Sequence, residues 1–249
     1  VEGDLEVQLQ IDEGRVTEAW VVSPMYRGFE QILQGKDPMD ALVYVPRICG
    51  ICSVSQSAAA ANALAAAMDL DMPPNGQLAT NLILANENVA DHLTHFYLYF
   101  MPDFARSIYR DEPWFPATEA RFKAVKGTAS KAVLPARAEF MHLMGLLAGK
   151  WPHSLALQPG GATRAVEVQE KSRILSILFA FRRFLETTLF GDSLERMIAL
   201  DSVEALERWT GELAPTGSDF RHFLHISRAL NLQQLGRAGD RFLSYGVYQ

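Results

Sequence analysis

The stretch that decides the fold of this chain is Arg-Ile-Cys-Gly-Ile-Cys-Ser-Val-Ser-Gln at residues 47–56. It contains Cys49 and Cys52, the only two cysteines among 249 residues, and an alanine-rich segment follows it. Two thiols at this spacing can bind one metal centre from one side, but two thiols alone do not complete a metal site. The stretch therefore predicts a metal or redox centre of which this chain supplies a part.

The composition is that of a globular protein without the features of a nucleic-acid or membrane protein. Hydrophobic residues make up 49% of the chain, and 23 basic against 29 acidic residues give a net charge of −6. The lack of basic blocks argues against a nucleic-acid partner, and no apolar run approaches the ~20 residues that span a bilayer. From residues 1–4 we expect no signal peptide and a cytoplasmic location.

Hydrophobic periodicity predicts a mainly α-helical protein with a small N-terminal antiparallel β element. Residues 5–10 and 16–22 alternate apolar and polar side chains around an Asp-Glu-Gly turn. This pattern predicts a β-hairpin with one buried face within residues 1–24. Residues 25–249 have helical periodicity, and no linker divides the chain, so we expect a single domain over residues 1–249. The predicted helices lie near residues 53–68, 77–100, 136–147, 164–190, 201–209 and 218–231.

The helix after the cysteines carries the strongest local signal. Ser53 and Gln56 fit a capping box ahead of a run of good helix formers, and Asp201 with Glu204 forms a second candidate capping pair. The helix N-terminus offers partial positive charge to the preceding thiols, where a lowered pKa would favour the thiolate. Arg47 adds a full positive charge nearby.

The residues alone leave three interpretations of the cysteine pair open. A thioredoxin-like redox pair is one, although the preceding segment is not a clear buried strand. A zinc site is another, but it would need two further ligands. The third is a pair of inert buried cysteines. In each case we expect Gly50 to let the backbone turn tightly, so that the two sulfur atoms converge.

Arg-x-Cys-Gly-x-Cys followed by a helix resembles the N-terminal cysteine motif of the large, catalytic subunit of nickel–iron hydrogenases. Other segments match motifs of that family in the same order, so the resemblance spans at least residues 2–163. It implies the family's large-subunit fold. The matching segments are Glu-Gly at residues 2–3, Tyr-Arg-Gly-Phe-Glu at 26–30, Gly-Lys-Asp-Pro-Met-Asp-Ala at 35–41, Asp-His-Leu-Thr-His-Phe-Tyr at 91–97, and the His-Pro-type loop with Gly-Gly at 153–163.

The sequence departs from the family pattern at two points. The family motif ends in His four residues after the second cysteine, whereas this chain has Gln56 there, which is similar to the regulatory, H2-sensing branch. A second motif, Asp-Pro-Cys-x-x-Cys-x-x-His, lies in the C-terminal half of family members and is absent here. We therefore expect a truncated, inactive form without an assembled metal centre.

The resemblance implies a metal centre and its ligands. Cys49 would be a terminal nickel ligand and Cys52 a ligand that bridges nickel to an iron carrying CO and cyanide, a Ni-Fe(CO)(CN)2 centre. Thiolates are soft ligands that suit such a nickel centre. Glu30 would be a ligand of the family's Mg2+ site, where oxygen donors are expected.

The resemblance also implies roles for residues around the centre. Glu2 would be the carboxylate that accepts the proton released from H2, Asp91 would lie beside the open metal position, and Gln56 would hydrogen-bond near the bridging sulfur. The pairs His92/His95 and His222/His225 have helical spacing, and we expect them to pack and hydrogen-bond rather than bind metal.

The implied function is heterolytic H2 cleavage used for H2 sensing. Electrons would pass to an iron–sulfur small subunit, since two cysteines cannot ligate a full cluster. Other expected partners are a signalling histidine kinase and maturation proteins, and apolar helix faces would make the fragment self-associate. The alternative is a non-catalytic, hydrogenase-like scaffold whose Cys-x-x-Cys segment is empty or binds zinc.

Overall fold

The computed structural model describes residues 4–236 together with residues 239, 241, 246 and 248. This part of the chain is mostly helical, with two small antiparallel sheets, which confirms the predicted fold class. Within the same residues, no helix combines the length and the apolar character needed to cross a bilayer. The α-helices are α1 (Phe29–Ile32), α2 (Ala41–Tyr44), α3 (Ser53–Ala67), α4 (Pro74–Thr94), α5 (Met101–Asp103), α6 (Phe115–Phe122), α7 (Ala129–Phe140), α8 (His142–Ala148), α9 (Val168–Phe184), α10 (Leu194–Ile198), α11 (Val203–Gly211) and α12 (Asp219–Ala229), and the strands are β1 (Glu6–Asp12), β2 (Arg15–Val22), β3 (Leu157–Gln158) and β4 (Gly161–Ala162).

Backbone contacts divide the chain into two compact units. Unit 1 comprises residues 1–87 and 147–165, and unit 2 comprises residues 88–146 and 166–249. Neither unit is continuous in sequence, because the chain leaves unit 1 within α4 and returns to it within α8. The single domain expected over residues 1–249 stays a prediction.

The N-terminal hairpin forms where the sequence places it, but its apolar face is not buried. β1 pairs antiparallel with β2, and Glu13 and Gly14 turn the chain with positive φ. Every residue of both strands is exposed, so the expected buried face is wrong for the described residues. Alternation shows which face is apolar, but burial requires a second surface that covers it. The exposed apolar side chains on this face include Val7, Leu9, Ile11, Val16 and Val21.

The cysteine-bearing unit is organised around α3. Its many alanines are small enough for other backbone segments to approach closely, and α3 packs on the 3₁₀ turn Val45–Ile48 and on β3. The buried residues of α3 include Val54, Ala61 and Leu64. The predicted helix at residues 53–68 is therefore present and forms much of the core of unit 1.

A close backbone contact explains the Gly-Gly pair at the turn from β3 into β4. Gly160 and Gly161 have φ of 85° and 146°, which other residues adopt rarely. A Cβ atom added to Gly161 would lie 3.2 Å from Cα of Gly76 in α4. The loop that carries the Trp-Pro-His segment is thus held directly against α4.

Two predicted elements differ in detail. Residues 136–147 were expected to form one helix, but α7 begins at residue 129, contains Pro135, and is separated from α8 by Met141. The expected Asp201–Glu204 capping pair is wrong, because Ser202 is the N-cap of α11 and its side chain accepts a hydrogen bond from the N–H of Ala205. A serine one position later provides the cap with a shorter side chain.

Unit 2 contains an ion pair between a buried carboxylate and a half-buried guanidinium, next to aromatic side chains. The carboxylate of Asp219 accepts hydrogen bonds from Nε and Nη2 of Arg121 at 2.8 and 2.7 Å, and from the hydroxyl of Tyr97 at 2.7 Å. Burial and the Asp219 charge raise the pKa of Tyr97 well above its ordinary value. The Tyr97 hydroxyl therefore acts as a neutral donor that ties α12 to the π-helical turn His95–Phe100 after α4.

We expect the Asp219→Asn substitution to destabilise unit 2 by about 1–3 kcal/mol, because it leaves a half-buried guanidinium without its charged partner. Chemical denaturation followed by circular dichroism measures this. The control is Glu119→Gln, which removes the exposed ion pair with Lys123 and should cost less than about 1 kcal/mol. Equal effects of the two substitutions would contradict the role of the Arg121–Asp219 pair.

We also expect the apolar face of the hairpin to cause self-association. The double substitution Val7→Thr with Leu9→Thr should lower the apparent molecular mass in analytical ultracentrifugation, because it removes exposed apolar area and keeps high β-propensity. The double substitution Gln8→Thr with Gln10→Thr alters the opposite face and should have no such effect. A monodisperse monomer of the unaltered chain would contradict this expectation.

Candidate metal centre

The two cysteines lie at the junction between a tight turn and a helix. The 3₁₀ turn Val45–Ile48 leads into Cys49, whose backbone is extended, and α3 begins directly after Cys52. Both cysteines are reduced and half-buried. The backbone N–H of Cys52 donates a hydrogen bond to Sγ of Cys49 at 3.2 Å. The two thiols are thus brought to one place, as the spacing predicts.

The two thiols have opposite electrostatic environments. Burial disfavours the thiolate of Cys49, but hydrogen bonds from the Cys52 thiol and from the N–H groups of Cys52 and Ile51 hold its pKa below the ordinary value. The Cys52 thiol is partly buried and donates a hydrogen bond to Cys49, and both effects raise the pKa of Cys52. Arg47 is not among the main causes of either shift. Cys49 therefore loses its proton more readily than Cys52.

The glycine between the cysteines is not required by the backbone. Gly50 does not have positive φ, and a Cβ atom added to it would meet nothing within 4 Å. The expectation that Gly50 is needed for a tight turn is therefore wrong in this structure. Hydrogen bonds to the neighbouring residues shape the loop instead.

The helix cap beside the cysteines comes from a residue that the sequence patterns did not single out. Glu87, on α4, is 2% exposed. Its Oε1 accepts from the N–H of Val54 at 2.9 Å, and its Oε2 accepts from the N–H of Ser55 at 2.9 Å. These are the second and third N–H groups of α3, which an N-cap side chain ordinarily satisfies. The expected Ser53–Gln56 capping box is wrong, because the N-cap position is Cys52 and Glu87 supplies the acceptor.

Three further donors complete the environment of the Glu87 carboxylate. The hydroxyl groups of Ser53 and Ser55 donate to it at 3.3 Å each, and Nε1 of Trp151 donates at 2.9 Å. A buried carboxylate is tolerated only when its oxygen atoms are hydrogen-bonded. Both oxygen atoms of the Glu87 carboxylate are therefore hydrogen-bonded, mainly to the first turn of α3.

The turn before the cysteines is anchored from two other segments. Nδ1 of His153 lies 2.9 Å from the carbonyl oxygen of Pro46, and because a carbonyl can only accept, this nitrogen carries the proton. The N–H of His153 donates to Oγ of Ser53 at 3.2 Å. The guanidinium of Arg27 donates to the carbonyl oxygens of Arg47, at 3.1 Å, and of Ile48. Residues on both sides of the Cys-x-x-Cys segment are thus fixed.

Gln56 lies where its predicted role requires. Its Nε2 donates to Sγ of Cys52 at 3.7 Å, and this hydrogen bond lowers the pKa of Cys52, opposing the larger effect of burial. An amide donor at this position stabilises negative charge on the sulfur. The role of Gln56 beside a metal-bound thiolate stays a prediction.

The other predicted site residues lie on other elements or outside the described residues. Glu30 is exposed on α1. Asp91 is half-buried on α4, in unit 2. Glu2 lies outside the described residues. No group of three or more His, Cys, Asp and Glu side chains in the described part of the chain is arranged to hold a metal ion.

The histidine pairs differ from each other. His92 and His95 are exposed, and the His95 ring stacks on Phe100 at 5.8 Å. His222 is buried, and its Nε2 lies 2.7 Å from Oγ1 of Thr118. Burial lowers the pKa of His222 and keeps it neutral at neutral pH. The expected packing and hydrogen bonding is confirmed for His222.

Glu87 left a signal in the sequence that periodicity could have detected. Ile83, Leu84 and Ala90 are buried and lie on one face of α4. Glu87 falls on the same face at helical spacing, so a charged residue occupies an apolar position. A polar residue on a buried face has to find partners there. The identity of those partners, three consecutive residues of α3 and a tryptophan, depends on tertiary structure.

We expect Cys49 to react with iodoacetamide at a lower pH than Cys52, because only thiolates are alkylated. In Gln56→Leu, the Cys52 profile should move to higher pH, since a hydrogen bond that favours its thiolate is lost. Peptide mass spectrometry after timed alkylation measures both rates. The control Gln34→Leu changes an exposed glutamine on the surface of unit 1 and should leave both profiles in place. If Cys52 reacted at the same pH as Cys49 or at a lower pH, the lower pKa assigned to Cys49 would be contradicted.

Comparisons with known proteins relate this chain to hydrogenases. Residues 27–110 match the family model of nickel-dependent hydrogenases. The chain is 39% identical to the Hydrogenase-2 large chain of Escherichia coli K12 over 97 residues, which are 39% of this chain and 17% of that protein. It is 29% identical to the periplasmic [NiFeSe] hydrogenase large subunit of Desulfomicrobium baculatum over 178 residues, which are 66% of this chain and 34% of that one.

The likeness extends to three-dimensional structure. The Ni-Fe-Se hydrogenase from D. vulgaris Hildenborough in the reduced state matches with a TM-score of 0.60 and 31% identity, over 75% of this chain and 40% of that one. The chain thus spans about two-fifths or less of the length of each relative named above. Over the matched residues, the chain is similar to the N-terminal part of nickel-dependent hydrogenase large subunits.

Proposed function

We propose that residues 1–249 are the N-terminal portion of the large, catalytic subunit of a nickel–iron hydrogenase that cleaves H2 heterolytically. The observation that carries the proposal is the cysteine pair at the start of α3, in which the N–H of Cys52 donates to Sγ of Cys49 at 3.2 Å and Nε2 of Gln56 donates to Sγ of Cys52 at 3.7 Å. A sulfur that is predisposed to be a thiolate is a ready ligand for a soft metal ion.

The residues present fit one half of a nickel–iron centre. Cys49 and Cys52 would hold it through their sulfur atoms. When bound, the centre supplies the metal ions at which H2 is split and which take up its electrons. Because two thiolates are half of the four that the centre needs, its other protein ligands have to come from outside residues 1–249.

Three side chains have supporting roles in this proposal. Gln56 would hold the sulfur of Cys52 through its Nε2 donor, and Glu2 would accept the proton that leaves H2. Asp91 would support H2 cleavage at the centre. Glu30 would be one ligand of a separate Mg2+ site, whose remaining ligands this chain does not contain.

Gln56 supports the further proposal that the hydrogenase senses H2. It replaces the histidine of the family motif and keeps a donor directed at Cys52. The proposed partners are an iron–sulfur small subunit, which receives the electrons, a signalling histidine kinase that reads the H2-dependent state, and the maturation proteins that assemble the centre. The names of the relatives given above do not mention H2 sensing.

The proposal is tested by metal content and infrared spectroscopy. The holoprotein that contains residues 1–249 should bind stoichiometric nickel and show absorption bands of CO and cyanide, and Cys52→Ser should reduce both to background. Ser172→Ala, on α9 in unit 2, is the control and should change neither. The chain of residues 1–249 alone should contain little nickel and show no H2-dependent dye reduction.

Two results would contradict the proposal. Stoichiometric nickel in residues 1–249 alone would show that the second pair of thiolates is not needed. A holoprotein without CO and cyanide bands would instead favour the non-catalytic scaffold, for which the cysteine segment is empty or binds zinc.

A further inference from the structure

We propose that Glu87 is a positioning residue of the cysteine site, which fixes the start of α3 so that both thiols are in position before a metal ion arrives. The proposal rests on the proposed function only for the identity of the metal. The positioning of the thiols by Glu87 applies to any thiophilic ion that the Cys49–Cys52 pair binds.

The first support is the position of Cys52 in α3. Cys52 is the N-cap residue of the helix and makes no side-chain cap hydrogen bond. A side chain at the N-cap position ordinarily accepts hydrogen bonds from the next turn. A cysteine whose sulfur binds a metal ion is unavailable for that task, so the exposed N–H groups of the first turn need an acceptor from elsewhere.

Glu87 meets this need from another helix. It accepts from the N–H groups of Val54 and Ser55 at 2.9 Å each, and from the hydroxyls of Ser53 and Ser55. Since α4 holds Glu87 at 2% exposure, the carboxylate cannot exchange these donors for water without local unfolding. The first turn of α3 is thus fixed relative to α4, together with the Cys52 backbone that precedes it.

The second support is that the same network reaches the other side of the cysteine segment. The Ser53 hydroxyl donates to Glu87 and accepts from the N–H of His153, while the His153 ring donates to the carbonyl of Pro46. Trp151, two residues before His153, donates to Glu87 directly. Glu87 therefore links the start of α3 to the turn that leads into Cys49.

The expected consequence is a change in metal affinity that exceeds any general loss of stability. Glu87→Gln keeps the size of the side chain but replaces one acceptor oxygen with an NH2 donor that faces other donors. We expect the dissociation constant of Cd2+ for the cysteine pair to rise about 10- to 100-fold, as for other residues that orient metal ligands. The Cd2+–thiolate absorption band in the ultraviolet measures this in the folded chain of residues 1–249.

Two controls separate positioning from folding. Leu84→Ala creates a cavity in the same helix, where Leu84 is 3% exposed, and should lower the melting temperature while the Cd2+ affinity stays within about 2-fold of the unaltered chain. Cys49→Ser should abolish the thiolate band. In Glu87→Gln, the amides of Val54 and Ser55 should also exchange hydrogen faster than those of the middle of α3.

Three outcomes would overturn the proposal. They are an unchanged Cd2+ affinity in Glu87→Gln, an equal loss in Leu84→Ala, or no thiolate-dependent Cd2+ binding by the unaltered chain. If Glu87→Gln does not fold, Ser53→Ala decides, because it removes the link between Glu87 and His153 and should still weaken Cd2+ binding. The Cd2+ measurements do not depend on whether the protein binds nickel and iron. The positioning role of Glu87 can therefore be wrong while the proposed function is right, and the reverse.

Discussion

The structure of the cysteine site depends on one interaction, the burial of the Glu87 carboxylate against the first turn of α3. An uncompensated carboxylate in this position would be strongly unfavourable, and so would the unsatisfied N–H groups of a buried helix start. The carboxylate and the N–H groups satisfy each other by hydrogen bonding. With the Ser53 and Ser55 hydroxyls and the Trp151 ring, the carboxylate accepts five hydrogen bonds. The helix that follows the cysteines therefore has a defined origin that does not depend on a metal ion.

This arrangement has an electrostatic consequence for the two thiols. A helix N-terminus generally favours a thiolate that lies beside it, but the N–H groups of Val54 and Ser55 already donate to Glu87. Burial and the hydrogen bond to Cys49 raise the pKa of Cys52, and the negative charge of Glu87 adds to that effect. Cys49 lies further from the helix, and its sulfur accepts hydrogen bonds from N–H groups of the loop, which lower its pKa. The asymmetry between the thiols thus follows mainly from the hydrogen bond that the Cys52 thiol donates to Cys49, and the charge of Glu87 adds to it.

Local sequence patterns predicted the secondary-structure elements and the proximity of the two thiols, but not the contacts that support them. The helix α3, the pairing of the hairpin and the cysteine pair follow from periodicity, turn residues and spacing, which are local. The same reasoning was wrong where a distant residue decides the outcome, since Glu87 rather than Ser53 receives the N–H groups of α3. Arg27 and His153 donate to backbone carbonyls, which all residues possess. No pattern in a single sequence marks which carbonyl a distant side chain will bind, so these contacts required the fold.

The hydrogen bonds from Arg27 and His153 give a physical reason why motifs distant in sequence accompany the cysteine pair. Arg27 comes from the Tyr-Arg-Gly-Phe-Glu segment and holds the carbonyls of residues 47 and 48. His153 comes from the Gly-Gly loop, which approaches α4 closely at Gly76, and holds Pro46 and Ser53. Each segment supplies one anchor to the same short stretch of backbone. A metal ion bound there would meet sulfur atoms already in place, and less of its binding free energy would be spent on ordering the loop.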